Sequence, residues 1–444
     1  MTTAPPTAAD TLAKPSASLG QEAWRRLKKD KAAMTALAVL VAIVVAALLT
    51  PLLPLQPPDA SDTRLEYQYA PPTASPVWLH NFELDTEAIA AAPAAVAKLQ
   101  AQLDDDLPQL EADLAAAEAA VDERSADIDR QIAEGADISA EDKASRLQEL
   151  NAAELAARKT IYRRYAEIED TIQAPYRKAG FPELGAVSRW MVRTRYAIFG
   201  DSQFNALFGR DLLGRDILSR TFWGARISLM VGLVATIVSL VIGVTYGAVS
   251  GYFGGLVDDI MMRIVDVLYS IPFIFVVIFI LTILNEERIA ERLQAWGVTK
   301  ITVFYVVVGA IYWLTMARVV RGQIISLKHQ DFVEAARSLG ARPARIIFRH
   351  LLPNVFSIVL VYLTLTIPRV MLFEAFLSFL GLGVQPPDVS WGLLANQGIE
   401  VITPIKIYWW LVLFPSLALG ATLLALNFLG DGLRDALDPR MKDR

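Results

Sequence analysis

The sequence predicts an all-α integral membrane protein: six transmembrane helices, with a periplasmic helical-hairpin (coiled-coil) insert between the first and second. Three observations carry this reading. Hydrophobic residues make up 54% of the 444 positions, more than a soluble globular domain usually holds. They gather into six runs long enough to cross a bilayer. Between the first two runs, a long polar segment repeats apolar residues every seven positions.

Residues 1–31 form a tail whose start is rich in Ala, Pro, Thr and Ser and reads as disordered; it ends in the basic stretch WRRLKKDK. The first run, residues 32–53, is longer than a signal-peptide core, and no small-x-small cleavage pattern follows it, so it is expected to stay as a helix. The other runs are residues 227–253, 264–284, 301–317, 355–383 and 408–430. Several contain Gly or Pro, which membrane helices tolerate when neighbours satisfy the freed backbone groups.

Orientation follows from Lys and Arg in the short flanks. The N-terminal flank is basic. So are the segment with Arg318, Arg321, Lys328, Arg337, Arg342, Arg345 and Arg349, and the end with Arg434, Arg440, Lys442 and Arg444. With six spans, all three fall on the cytoplasmic side. The expected organisation is a cytoplasmic tail (1–31), a first span (32–53), an extracytoplasmic insert (54–205), a five-helix core (206–430) and a second cytoplasmic tail (431–444).

Within the insert, Leu107, Leu114, Val121 and Ile128 repeat every seven residues, and Leu103, Leu110 and Ala117 complete an a/d seam. Ser139 and Asp142 offer an N-cap for a returning helix through Leu147, Leu150, Leu155, Ile161, Tyr165, Ile168 and Ile172, ended by Pro175. The pattern predicts an antiparallel hairpin with arms of roughly 40 to 50 Å. It reads equally as a docking arm for an external partner and as a spacer packed on itself.

Residues 331–354, DFVEAARSLGARPARIIFRHLLPN, place a short basic segment between two apolar runs. Val333, Ala336 and Leu339 are expected on one face of a first short helix. Gly340 permits the turn that ends it, and Pro343 suits the start of a second. Ile346, Ile347, Phe348 and Leu351 make a further apolar patch, and Pro353 is expected to stop the run. Two short helices meeting at a glycine form a rigid knuckle able to enter a groove on another protein.

Four stretches together resemble the permease subunits of ABC importers, in the dipeptide and oligopeptide branch. They are the E-A-A…G…L-P segment itself, FGRDLLGRDILSRTFWGARISL (208–229), GYFGGLVDDIMMRIVDVLYSIP (251–272) and EAFLSFLGLGVQPPDVSWGLLANQG (374–398), with GDGLRDALDPR (430–440) at the end. Arg210 stands where that family usually has Thr. The resemblance covers residues 24–53 and 205–444, and leaves out the hairpin.

It implies that the segment 331–353 couples to ATPase subunits, through Glu334, Ala335, Ala336, Gly340, Leu352 and Pro353. It also implies a bacterial inner-membrane location with both termini cytoplasmic. The implied partners are a second homologous permease, two ABC ATPase subunits, an extracytoplasmic solute-binding protein and the lipid bilayer. ATP and Mg would be bound by the ATPases, with no cofactor on this chain, and the cargo would be a peptide or peptide-like solute.

Other features are open to plainer readings. Arg369 and Glu374 lie inside the fifth span, where charges usually face a pathway or a partner; five residues apart, they do not form a paired face. Asp258, Asp259, Arg263 and Asp266 suit a helix start, or a contact with a neighbouring subunit. GRDILSRTFWGAR (214–226) reads as an interfacial helix along the external surface. Pro386, Pro387 and Trp391 fit either a mouth for a binding protein or a rigid connection.

Cysteine is absent, and His80, His329 and His350 are far apart, so a thiolate or His-based metal site is not expected. No G-x-x-x-x-G-K-[ST], G-x-S-x-G or H-E-x-x-H motif occurs, so no ATP site or catalytic centre is expected. The short basic segment does not suggest nucleic acid.

Two rivals come from other classes. An ion-gradient-driven secondary transporter would need inverted repeats and midplane ionisable groups, and no internal repeat is visible. A membrane scaffold displaying the hairpin would depend on residues 86–174 and be indifferent to Gly340.

Overall fold

The computed structural model describes residues 19–73, 77–79, 83–284 and 300–437, with isolated positions 286, 289, 293 and 298. The start of the N-terminal tail, His80, and Arg440, Lys442 and Arg444 lie outside the described residues. Two helices open the chain. The amphipathic α1 (Leu19–Leu27) is followed by α2 (Lys31–Leu49). Asp30 caps α2 by accepting from the Ala32 and Ala33 N–H groups. A 3-10 turn, Thr50–Leu52, closes the first span, with Pro51 where the missing N–H costs nothing.

The hairpin is formed by α3 (Thr86–Ala133) and α4 (Ala140–Lys178), of 48 and 39 residues. At ~1.5 Å per residue these run roughly 70 and 60 Å, longer than the pattern alone implied. Pro108 lies inside α3, and Pro175 inside α4 without ending it. The seam is as expected: Leu103 and Ile128 are buried, and Leu107, Leu110, Leu114, Ala117 and Val121 are half-buried. Tyr165 departs from the expected stripe and is exposed. Ser139 and Asp142 form a full capping box. Arg158 pairs with Glu118 at 2.6 Å and Arg164 with Asp106 at 3.1 Å across the hairpin.

A further helix, α5 (Ala186–Phe199), follows the hairpin. The insert is closed by strands β1 (Val77–Leu79) and β2 (Gln203–Asn205), antiparallel with Trp78 opposite Phe204. This ribbon is the only sheet among the described residues, so the fold is all-α apart from it.

The remaining helices build the bundle: α6 (Ile217–Phe253), α7 (Gly255–Ser270), α8 (Phe273–Leu284), α9 (Lys300–Leu327), α10 (Asp331–Ser338), α11 (Pro343–Phe379), α12 (Trp391–Glu400) and α13 (Trp409–Leu437). Among the described residues five helices are long and apolar enough to cross a membrane, or six if the bent pair α7–α8 is counted as one span. The expected third span, 264–284, is therefore not one rod. It is broken before Pro272, and its halves meet at 85°; Pro272 has no N–H, and its ring disfavours a helical conformation for Ile271.

The bundle core lies between α6, α8, α9 and α11, around Val231, Ala235, Val277, Val308 and Val370. Small residues let α6 and α9 approach closely. A Cβ on Gly243 would sit 2.6 Å from Met316 Cβ, and one on Gly251 2.9 Å from the Arg321 carbonyl oxygen. The first span packs through Ala36, Leu40 and Ala47 on Ala425 and Leu426 of α13.

Residues 214–226 do not form a separate interfacial helix. From Ile217 they are the first turns of α6, and Ile217, Leu218, Arg220 and Trp223 are buried. Two of their three arginines meet a carboxylate of the chain: Asp211 accepts from Arg215 Nε and Arg220 Nη1, both at 2.8 Å. Asp216 caps α6, accepting from the Ser219 N–H at 2.7 Å and the Ala206 N–H at 2.8 Å, and burial pushes its carboxyl up to about 6. Arg210, the departure from the family pattern, is buried over the Tyr67 ring and donates to the Gly214 carbonyl at 3.0 Å.

Candidate coupling site

The segment 331–353 sits at the end of the bundle where α6 finishes, opposite the end that carries the hairpin. Its first helix, α10, ends in a Schellman turn. The Gly340 N–H donates to the Arg337 carbonyl at 2.9 Å and the Ala341 N–H to the Ala336 carbonyl at 3.1 Å, with Gly340 at φ +78°. That left-handed conformation is why a glycine stands there.

Pro343 starts α11, as expected, but no second short helix ends before the span. Residues Ile346–Leu351 form a π-helical stretch that runs directly into the Leu352–Phe379 helix. Pro353 has no N–H to give to the carbonyl four residues back, and the wider π turn accommodates its ring without stopping the helix.

One face of this knuckle is fixed to the bundle. Val333, Ala336, Ile346, Ile347 and Leu351 are buried against Ala248 of α6 and Met316, Val320 and Ile324 of α9. At about 25 cal/mol per Å² of apolar area removed from water, several such side chains stabilise the docking by several kcal/mol. The other face is open. Leu339 is 88% exposed and Phe348 60% exposed. Leu339 therefore does not share a face with Val333 and Ala336. Ala341, beyond the Schellman turn, packs against the buried cluster instead.

Of the residues carried over from the family pattern, Glu334, Ala335, Gly340 and Pro353 are exposed, Leu352 is half-buried, and Ala336 is in the fixed face. The exposure of Leu339 and Phe348 differs from the sequence expectation, which set each with residues that are buried. Its signal was the glycine at the position after the helix end, which assigns the packing role to Ala341.

Two arginines of α9 tie this end of the bundle to α7. Arg321 donates to Asp258 through Nε and Nη2, both at 2.6 Å, and Arg318 Nη2 donates to Asp266 at 2.7 Å. Asp258 and Asp266 thus have partners within the chain.

The structure does not bring Arg369 and Glu374 together. Glu374 is fully buried, and its Oε1 accepts from Ser378 Oγ and Ser390 Oγ at 2.7 Å each. Ser390 also caps α12. Trp391 is buried, donating from Nε1 to the Thr221 carbonyl at 2.8 Å and from its backbone N–H to Ser228 Oγ at 3.0 Å. This part of the family-like stretch is an internal lock between α11, α12 and α6, and the Ser before Trp391 was its sequence signal. Arg369 is exposed in a groove of about 440 Å³, shared with Tyr362, Leu365 and Arg434.

Comparison with known proteins agrees with this architecture. Residues 243–443 match the family model described as the binding-protein-dependent transport system inner membrane component. Residues 18–72 match that of the N-terminal transmembrane domain of oligopeptide transport permease C. The dipeptide transport system permease protein DppC of Bacillus subtilis is 45% identical over 235 residues, 53% of this chain and 69% of that protein. The oligopeptide transport system permease protein OppC of Escherichia coli is 46% identical over 244 residues, 55% of this chain and 75% of its own length. The glutathione transport system permease protein GsiD of Pectobacterium atrosepticum is 42% identical over 236 residues, 53% of this chain and 72% of its own.

The bundle, its knuckle and these matches define a membrane permease. The chain belongs to the family of binding-protein-dependent transport system inner membrane components, in the dipeptide and oligopeptide permease branch of the ABC transporters. Residues 73–242, which hold the hairpin and α5, fall outside both family models.

Proposed function

We propose that this chain forms half of the translocation pathway of an ATP-driven importer for peptides or peptide-like solutes, and receives motion from ATPase subunits through residues 331–353. The observation that carries the coupling role is the two-sidedness of the knuckle. Its buried face is bolted to α6 and α9, and its open face presents Leu339 and Phe348, both largely exposed among the described residues. A push on the tip is thus delivered to two long helices through packed side chains rather than through a flexible loop.

In this reading a second homologous permease completes the pathway, two ATPases hold ATP and Mg, and an extracytoplasmic solute-binding protein delivers the cargo. This chain binds no cofactor and performs no chemistry. Both termini and the knuckle are cytoplasmic, with the hairpin on the outer side. The peptide class follows from the relatives, whose names specify dipeptide, oligopeptide and glutathione transport. Family membership favours this reading over an ion-gradient-driven carrier.

The test is Leu339→Asp in the tagged chain, purified in mild detergent with its partners. The variant should fold normally, because the side chain it replaces packs on nothing, yet lose the ATPases and import. If it retains both ATPases and imports at the normal rate, the coupling role is wrong.

A further inference from the structure

Helix α5 has its polarity inside out. Ser188 and Arg195 are on its buried face, with Val192 and Tyr196. Its outward face carries Val187, Trp190 and Ile198, each more than 60% exposed. A helix surrounded by water places these groups the other way round. Each buried polar side chain has a partner within the chain: Arg195 Nη2 donates to the Leu55 carbonyl, and Ser188 Oγ accepts from Arg226 Nη2, both at 2.8 Å.

Those same bonds locate α5 at the rim of the membrane-spanning region. Leu55 follows the turn that closes the first span, and α5 packs on that turn. Arg226 lies on α6 one turn from Met230, where an outward apolar stripe begins and continues through Leu233, Ile237 and Val241. Helix α5 thus lies beside the end of a membrane span whose exposed surface is apolar. Its outer face also leads into a notch of about 310 Å³ between α5 and the hairpin base, lined by Ile89, Val96, Ile172 and Trp190.

We infer that α5 is an in-plane membrane helix: Val187, Trp190 and Ile198 enter the boundary between phospholipid headgroups and acyl chains. The occupant of the face is lipid because α5 adjoins two membrane spans at their ends and combines a tryptophan with a flanking arginine, Arg193, the pairing that suits the headgroup belt. Arg193 Nε donates to the Tyr176 hydroxyl at 2.7 Å and Arg189 Nη1 to Glu169 Oε1 at 2.8 Å, so the helix also grips the foot of the hairpin. Seating α5 in the membrane surface therefore anchors the base of the hairpin there.

The absence of cysteine from the chain makes the test direct. Val187→Cys and Ile198→Cys, each labelled with a nitroxide, are placed in nanodiscs of phosphatidylcholine and phosphatidylglycerol, in the full-length chain with its copurifying subunits. Asp137→Cys near the hairpin tip is the aqueous control. Labels at 187 and 198 should collide several-fold more often with oxygen than with a water-soluble nickel chelate, and the control should show the reverse. Free access of the nickel chelate at 187 and 198 would mean that the face is in water. Exclusion of both reagents would mean that it is covered by protein. Either result overturns the inference, and the label at 198 alone decides it if the 187 variant folds poorly.

Discussion

Arg321 holds Asp258 through two hydrogen bonds of 2.6 Å, and so ties α9, which leads into the knuckle, to the first half of the broken span. The Asp258 side chain is nearly buried and also accepts from Ser250 Oγ. Arg321→Gln should lower the stability of the detergent-solubilised protein by about 1–3 kcal/mol, since it leaves a poorly solvated carboxylate short of donors. Arg321→Lys should recover only part of this, because an ammonium cannot supply the planar two-pronged contact. Thermal unfolding of the two variants checks the order.

At Gly340 the space is open, for a Cβ there would meet nothing within 4 Å, so only the backbone angle constrains the residue. Gly340→Asn should therefore be tolerated, whereas Gly340→Val should cost on the order of 1–2 kcal/mol and disturb the turn. If the turn sets the direction of Leu339, ATPase copurification should fall for Val and persist for Asn. Equal loss in both would point to the glycine touching the ATPase directly.

Arg369 is exposed on the flank of the protomer within an apolar helix. A guanidinium facing hydrocarbon costs about 2.5–3.5 kcal/mol, so this groove is expected to meet water or another subunit. Arg369→Ala should leave the melting temperature of the isolated chain unchanged and reduce import or permease pairing at least tenfold. A variant that melts higher and imports normally would show that the groove faces lipid.

The spans, the heptad seam and the capping box were legible because each rests on local chemistry. Leu103 and Ile128 are buried for the reason their spacing gives, and Ser139 meets Asp142 three residues away. What sequence could not show is where a polar group finds its partner. Residues 214–226 read as an interfacial helix because the partners of Arg220, Asp211 and Gln397, lie outside that stretch. Glu374 looked like a pathway charge because Ser390 reaches it from beyond a turn. In the knuckle, the period placed Val333 and Ala336 correctly, and failed at Leu339, where the helix had already ended.

Asp216 predicts a pH response. Its carboxyl, ordinarily at 3.8, is raised to about 6 by burial. A carboxyl raised on folding favours the protonated folded form, so its contribution is full below about pH 4 and is lost as the pH climbs through about 6. Asp216→Asn cannot ionise. It should flatten stability across that window while costing about 1–3 kcal/mol overall, as the Ala206 N–H loses its acceptor. Thermal melts of both proteins from about pH 4 to 8 would show whether the slope disappears.

The corner between Ser270 and Phe273 has a consequence for how the protein exists at all. Hydrocarbon tolerates no bare peptide groups, and a chain turning through 85° between two half-helices cannot keep its hydrogen-bond ladder unbroken there. Tyr269, Ile271 and Phe275 around the elbow are turned outward. An elbow of this kind at bilayer depth is an unfinished solute, stable only with a neighbouring protein surface or a column of water beside it.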